Sequence, residues 1–595
     1  MSSVIGKVLS LLSPREKRQA YFLLGMILVM ALLDVIGIAS IMPFMAVLAN
    51  PDVVDTNSWL NAVYTRLEFS EPQRFLRFLG IVVFVALVIS VVFKAATTWA
   101  ITYFTQMRNY SIARRLVAGY LAQPYEWFLN RHSAELGKAV LSEVQQVVGN
   151  ALVPLMRLLA QGAVVIAILV LLVAVDPLLA LIVGGAMGGA YAVIYLSLRN
   201  MLKRIGEDRV EADRQRFKAV SEAFGGIKEV KLGGLEQPTL SRFDAAAKRF
   251  AGTQLTAQVV ALLPRFALEI IAFGGILGLV LFLMHRSAGL QAVLPIIALY
   301  ALAGYRLLPA LQMAYDQATK LRFSGAGLDR LHKDLTTHRI EPVKDASTGT
   351  VFPQRQISLA GVTFSYPNAE RHALEDIYLE IPARSTVGLV GKTGSGKTTA
   401  VDIMLGLLRP QSGTMTVDDV VVTPQNCRAW QKSLGYVPQQ IFLADESVAA
   451  NIAFGVPDKA IDRNAVERAA KIANLHQFIV DELPAGYETI VGERGIRLSG
   501  GQRQRIGIAR ALYHEPRVLI LDEATSALDN LTEQAVMDAV HNLSGEITII
   551  LIAHRLSTVR ECDRIFVLEL GRLVGSGTFD ELKAGNERFR AMAGV

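Results

Sequence analysis

Apolar positions are unevenly spread along this chain. Up to residue 320 they form long runs; beyond it, short β-rich runs alternate with helix-compatible stretches. Six runs reach the ~20 residues that a helix needs to cross a bilayer: 21–48, 76–103, 151–175, 178–198, 257–284 and 290–315. The connections 104–150 and 199–256 are long and helix-compatible. Structureless loops of that size are unusual, so helices continuing out of the membrane are predicted. Each holds a turn-prone stretch, Gln123-Pro124-Tyr125-Glu126-Trp127-Phe128 and Phe224-Gly225-Gly226-Ile227-Lys228, expected as a short transverse helix. In the segment 55–69, Trp59, Leu60, Val63, Tyr64 and Leu67 share one helical face, with capping residues at 55–58. It reads equally as an interfacial helix and as packing on the outer ends of the spans.

From residue 356 the pattern is that of an α/β domain. Val387-Gly388-Leu389-Val390 is a buried strand, followed by a glycine-rich loop and a helix over 397–408. Val518-Leu519-Ile520-Leu521 is a second buried strand, ending in Asp522 and Glu523. The predicted organisation is a membrane domain over 1–325, a linker over 326–355 and an α/β domain over 356–595.

Composition agrees with two domains of different solvent. The chain has 595 residues, 52% of them hydrophobic, and a mean hydropathy of +0.36, high for a soluble protein. Net charge is +7. Basic residues gather beside the spans: Arg15, Lys17 and Arg18 before the first, Arg108, Arg114 and Arg115 after the second, and a stretch from Arg199 to Lys218 after the fourth. That asymmetry places both termini, the two long loops and the α/β domain in the cytoplasm. No basic stripe is interleaved with aromatics, so nucleic acid is not an expected partner. Cys427 and Cys562 lack metal or redox spacing and read as reduced thiols. The first apolar segment has no small-residue cleavage pattern and does not read as a removable signal.

Six ionisable residues fall inside the predicted spans: Asp34, Lys94, Arg157, Arg265, Glu269 and Arg306. Each needs a partner or a water-filled cavity. Arg265 and Glu269 are spaced to pair on one helix, and Asp34 suits a cation from another helix. Four cations stand against two anions, so a positive surplus remains. It suits a phosphate or pyrophosphate head group, with Lys94, Arg265 and Arg306 as candidate substrate residues. Snorkelling or inter-helix pairing is the competing reading.

The glycine loop carries phosphate chemistry. It runs Gly391, Lys392, Thr393, Gly394, Ser395, Gly396, Lys397, Thr398, with Thr399 on the helix behind it. Glycines let backbone N–H groups turn onto phosphates, Lys397 reaches the β- and γ-phosphates, and the Thr398 hydroxyl suits Mg²⁺. The helix N-terminus adds a favourable dipole. Asp522 is placed to hold the Mg²⁺ shell, and Glu523 to polarise an attacking water. The expected ligands are therefore ATP and Mg²⁺.

These motifs, followed by Leu498-Ser499-Gly500-Gly501-Gln502, resemble the nucleotide-binding domain of the ATP-binding-cassette (ABC) transporters. The resemblance implies several roles. Tyr366 stacks on adenine, Gln439 contacts Mg²⁺ and senses the membrane domain, and Glu493 lies in a loop that meets the partner's intracellular helices. Ser499, Gly500, Gly501 and Gln502 cap the γ-phosphate bound to the other subunit. Asp529 belongs to the D-loop, and His554 contacts the γ-phosphate. Six spans, long intracellular helices and one cassette resemble an exporter half-transporter, which implies a second copy as partner: a homodimer, or alternatively a heterodimer.

The first span (33–43), the stretch 130–136 and the stretch 225–231 are similar to bacterial flippases of lipid-linked oligosaccharides. An anionic lipid-linked substrate in the bacterial inner membrane is thereby implied. The alternatives are a multidrug, lipid A or peptide exporter of the same architecture and, more remotely, a cassette ATPase that does not transport.

Overall fold

The computed structural model describes residues 2–69, 71–131, 133–175, 177–286, 290–337, 350–367, 369–492, 495–523, 530–541, 543, 545–553 and 556–593. The description excludes some further side chains within these helices, Arg265 among them. The chain divides into two compact units, 1–123 with 131–341, and 124–130 with 342–595.

The first unit is helical. Its first long helix, Pro14–Ala39, starts at a capping box: the Ser13 side chain accepts from the Glu16 N–H while the Glu16 carboxylate accepts from the Ser13 N–H. A second segment, Ile41–Ala49, continues it beyond Ser40. Helix Pro72–Leu121 follows, then a helical stretch to Val175 with π-helical turns at Ala139–Glu143 and Val148–Leu152. Among the described residues, three stretches are long and apolar enough to cross a membrane: Pro14–Ala49, Pro72–Leu121 and Glu135–Val175. The other three expected spans fall on the helices Pro177–Gly225, Glu236–Arg286 and Leu290–Phe323. Apolar side chains such as Ile81, Phe84 and Val92 stand exposed on Pro72–Leu121, as a lipid-facing surface requires.

Outside the six predicted spans, polar contacts take over. Lys138 pairs with Asp213 at 3.0 Å and Arg330 with Glu143 at 3.4 Å. Arg209 donates to Gln146 and stacks over Phe323. Arg330 belongs to helix Gly325–Thr337, which forms within the expected linker. The turn-prone stretches become the short helices Tyr125–Leu129 and Ile227–Leu232. The outer segment also folds as a helix, Ser58–Arg66, capped by Asn57. Leu60 is buried and Tyr64 meets Phe75 edge-on, whereas Trp59 and Leu67 are exposed. The packing reading of that segment thus holds at Leu60 and Tyr64.

The second unit contains two sheets. Strands β1 (Gln356–Phe364), β2 (Leu374–Pro382), β4 (Ser412–Val417) and β5 (Val420–Val421) form an antiparallel sheet in the order β2-β1-β4-β5. Strands β3 (Thr386–Val390), β6 (Leu434–Val437), β7 (Val518–Asp522), β8 (Thr548–Ile552), β9 (Arg564–Glu569) and β10 (Arg572–Gly577) form the other, in the order β10-β9-β3-β8-β7-β6. Pairing from β9 through β6 is parallel, and β10 alone runs antiparallel. β3, β7 and β8 are buried at every position, which is why they read as unbroken apolar runs. Alternate residues feed two cores: Ile549 and Leu551 one side, Ile550 and Ile552 the other.

Trp430 anchors the second of these cores. It is fully buried, and its indole N–H donates to the Met404 carbonyl at 2.7 Å. Trp430→Ala is expected to destabilise this unit by about 3–5 kcal/mol, read as a lower urea midpoint for its unfolding. An unchanged midpoint would contradict the packing described.

Candidate functional site

The parallel sheet gathers the candidate residues at one edge. The phosphate loop follows β3, Gln439 lies two residues after β6, Asp522 ends β7 and Glu523 follows it. All lie at carboxyl ends of parallel strands, where ligands of open α/β sheets bind. The loop needs its glycines. Gly394 and Gly396 hold φ of 77° and 101°, and a Cβ on Gly396 would sit 2.7 Å from the Ala373 carbonyl oxygen.

A cavity of ≈ 550 Å³ opens over this edge, lined by the loop from Thr393 to Thr399 together with Tyr366, Gln439 and Glu523. Tyr366 stands edge-on to Phe364 and its hydroxyl lies 3.1 Å from Thr399 Oγ1. Lys397 Nζ donates to the carbonyls of Gly391 and Lys392, at 2.7 and 3.1 Å. Burial holds the Lys397 ammonium below its usual range, opposed by the charges of Glu523 and Asp522. Gln439 Nε2 donates to Glu523 Oε2 at 2.7 Å, which leaves the Gln439 carbonyl oxygen as an acceptor. Glu523 itself sits at φ 50°, a left-handed conformation uncommon outside glycine.

The donor set fits Mg²⁺. Thr398, Gln439 and Asp522 offer a hydroxyl, an amide oxygen and a carboxylate, the hard oxygen ligands that this ion takes beside water and phosphate. Asp522 is buried. Ser395 Oγ is also buried, and among the described residues it has no hydrogen-bond partner, as a cradle awaiting an anion requires.

Several neighbours escape the sequence reading. Arg371 and His372 line the cavity, and His372 Nδ1 lies 2.8 Å from Ser365 Oγ. Asp402, on helix Lys397–Met404, is pushed up to about 6 by burial and then by the Asp522 charge. Burial and the nearby Asp522 likewise raise the Tyr436 phenol. Tyr125 and Glu126, from the first transverse helix, belong to this unit. Glu126 accepts from the Arg409 backbone N–H at 3.3 Å, and the Tyr125 phenol is raised by burial and by Asp402. The transverse helix expected at 123–128 thus meets Arg409 through Glu126.

The signature motif lies elsewhere. Ser499 caps helix Gly500–Leu512 through a capping box with Gln502. Its side is exposed, and neither it nor Gly500, Gly501 and Gln502 are among the described residues lining the cavity. Glu493, Asp529 and His554 fall outside the described residues. In the first unit, Lys94 and Arg306 converge on Asp34, at 4.0 and 3.5 Å. Arg157 is exposed.

A phosphate cradle backed by two carboxylates, on a chain with membrane-crossing helices, defines a membrane ATPase. The ABC transporter transmembrane region matches residues 26–292, and the ABC transporter domain matches residues 374–526. The ATP-dependent lipid A-core flippase of Chromohalobacter salexigens is 31% identical over 490 residues, 79% of this chain and 80% of its own length. The protein of the same name from Cupriavidus pinatubonensis is 32% identical, over 78% of each chain. The structure of a bacterial Atm1-family ABC exporter with ATP bound shares the fold, with a TM-score of 0.79, 23% identity, and coverage of 97% of this chain and 98% of that one. The chain belongs to the ABC transporters, with an exporter-type membrane domain ahead of the ATPase domain, and its activity is ATP hydrolysis coupled to transport.

The raised Asp402 carboxyl has a signed consequence. The unfolded chain loses this proton near 3.8 and the folded one near 6. In that window the folded state binds more protons, so its stability falls as pH rises, and the deficit persists above pH 6. In metal- and nucleotide-free buffer, Asp402→Asn is expected to stabilise the ATPase domain on the order of 2–3 kcal/mol at pH 8. It should give little gain at pH 4. An equal gain at both values would show that the carboxyl is not held up.

Proposed function

We propose that the chain is half of a homodimeric flippase in the bacterial inner membrane, with both termini and the ATPase domain cytoplasmic, carrying an anionic lipid. One observation supports the dimer: Lys397, Gln439 and Glu523 share one cavity, while Ser499 is exposed outside it. A helix N-terminus with a hydroxyl and glycine N–H groups is an anion site, and a second copy brings it to the γ-phosphate. The tip of the second intracellular loop is also left uncovered, with Leu232 92% exposed and Phe224 72%, as a surface for that second copy.

In this reading the Thr393–Thr399 loop and Lys397 hold the phosphates, and Tyr366 holds adenine. Thr398, Gln439 and Asp522 hold Mg²⁺, which neutralises charge on the β- and γ-phosphates when bound. Glu523 accepts a hydrogen bond from the attacking water, kept in place by the Gln439 amide. The water oxygen bonds to the γ-phosphorus as the bridging bond breaks, its proton passes to the Glu523 carboxylate, and the bridging electron pair leaves on ADP. His554 and Asp529 complete the γ-phosphate contacts.

Surplus intramembrane cations and the outer helix with its exposed Trp59 support a lipid-linked oligosaccharide: a charged pyrophosphate head with a long apolar tail. The names of the relatives favour lipid A-core as the second reading; it has the same phosphate chemistry. The test is ATPase stimulation and flipping by the whole chain in phosphatidylcholine proteoliposomes. Polyprenyl-pyrophosphate sugars, lipid A-core, and a hydrophobic drug are compared. Anionic phosphate lipids are expected to stimulate above the zwitterionic phosphatidylcholine background and be flipped, and Glu523→Gln to bind ATP but turn over about 10²–10³-fold more slowly. Stimulation by the drug alone would overturn the substrate reading, and normal turnover in Glu523→Gln would overturn the role of that carboxylate.

A further inference from the structure

Three membrane helices meet at one carboxylate. Asp34, on Pro14–Ala39, is buried, its side chain 1% exposed. Ser90, on Pro72–Leu121, donates its hydroxyl to Asp34 Oδ1 at 2.5 Å and is itself buried. Arg306, on Leu290–Phe323, reaches the same oxygen at 3.5 Å. Close approach of the first two helices is eased by Gly37, where a Cβ would lie 3.3 Å from Leu87 Cδ2. Lys94 stands one turn from Ser90, but its ammonium stops 4.0 Å from Oδ2. Among the described residues, that oxygen accepts no hydrogen bond. The Lys94 side chain is also 38% exposed, against 20% for Arg306.

This arrangement is unlike a closed ion pair. Two cations face one carboxylate, so the cluster carries one net positive charge. One acceptor oxygen is left unfilled, and one cation is held at arm's length. An intramembrane charge that finds no partner is costly, and buried pairs are stable only when their remaining lone pairs and protons are satisfied. A single phosphate anion would neutralise that charge and give Lys94 and Arg306 acceptor oxygens, drawing them away from the carboxylate. A neutral amphiphile would not balance the charge.

We propose that Asp34 is a specificity-determining residue: a resident counter-ion that holds Arg306 and Lys94 for a lipid phosphate and sets the cluster's charge at one below full attraction. The inference rests on the anionic-lipid reading above. Asp34 positions the two cations through the Ser90 and Arg306 contacts, and it competes with the head group for them. Binding is thereby weakened enough for release on the far side. The phosphate belongs either to a polyprenyl-pyrophosphate sugar or to lipid A-core.

The test uses the whole chain in phosphatidylcholine proteoliposomes doped with undecaprenyl phosphate, with a polyprenyl-pyrophosphate sugar or lipid A-core in parallel arms and undecaprenol as the uncharged control. Asp34→Asn removes the competing charge. The half-saturating concentration of the phosphate lipid should fall about tenfold, the factor for one ~1.4 kcal/mol interaction. The maximal stimulated flipping rate should fall with it, because release is slowed. The response to undecaprenol should not move. The double variant Asp34→Asn/Arg306→Gln restores a single net charge and should bring half-saturation back towards the starting value; it also serves if Asp34→Asn alone folds poorly. The arm with the larger shift identifies the source of the phosphate. If Asp34→Asn leaves half-saturation unchanged, or lowers the response to all lipids alike without rescue in the double variant, Asp34 is structural and the inference falls while the anionic-lipid reading stands. If no phosphate lipid stimulates the unmutated chain, both fall.

Discussion

Parallel pairing of β9, β3, β8, β7 and β6 is the constraint from which the rest follows. It sends the carboxyl ends of β3, β6 and β7 to one edge, so residues far apart in sequence become neighbours. Gln439 and Glu523 are hydrogen-bonded across 84 positions for this reason. The strands must be apolar on both faces to lie between two cores, and that leaves the edge as the place where their polar ends can meet water or a ligand. Lys397, Asp522, Glu523 and Gln439 all sit there. The edge supplies a cradle, a carboxylate pair and an amide, but the signature serine is spent on capping its own helix, at the exposed end. In the proposed dimer, a second chain would close a site built this way.

The membrane unit answers to the opposite constraint. Its solvent tolerates apolar surface and penalises charge, so the charges it keeps are informative. Outside the six predicted spans, Lys138, Asp213, Glu143 and Arg330 pair at ordinary distances. At Asp34 the account does not close, and the excess is positive. The first transverse helix joins the two kinds of chemistry. Tyr125 is raised by burial and by Asp402, which is in turn raised by burial and by Asp522, so this short helix lies within electrostatic reach of Asp402, itself a neighbour of Asp522.

Much of this is local in sequence. Strand, glycine loop and helix are contiguous over 387–404, and each is encoded by its own residue types. The run 518–523 likewise announces a doubly buried strand with a carboxylate pair. Other features are not local. Asp402 reads as an ordinary polar helix position until the fold brings Asp522 beside it. Arg371 and His372 have no motif, because a cavity wall makes no demand on periodicity. The helix Gly325–Thr337 does carry a signal, since Leu328 and Leu331 are spaced for one face and both are buried; the expectation of a linker passed over it. For Asp34, Lys94 and Arg306 the charge count was legible, but which cation meets which anion depends on how helices pack, and spacing along one helix cannot say.

The central claim, that each nucleotide is enclosed by two chains, is tested most directly by mixing two variants. Lys397→Ala spoils the cradle and Ser499→Arg spoils the cap. If the site spans two chains, each variant alone should fail to occlude ATP, while co-assembled pairs should occlude one ATP per two chains, at the site built from the intact cradle of one and the intact cap of the other. Occlusion that persists in Ser499→Arg alone, or no recovery in the co-assembled pairs, would contradict the account.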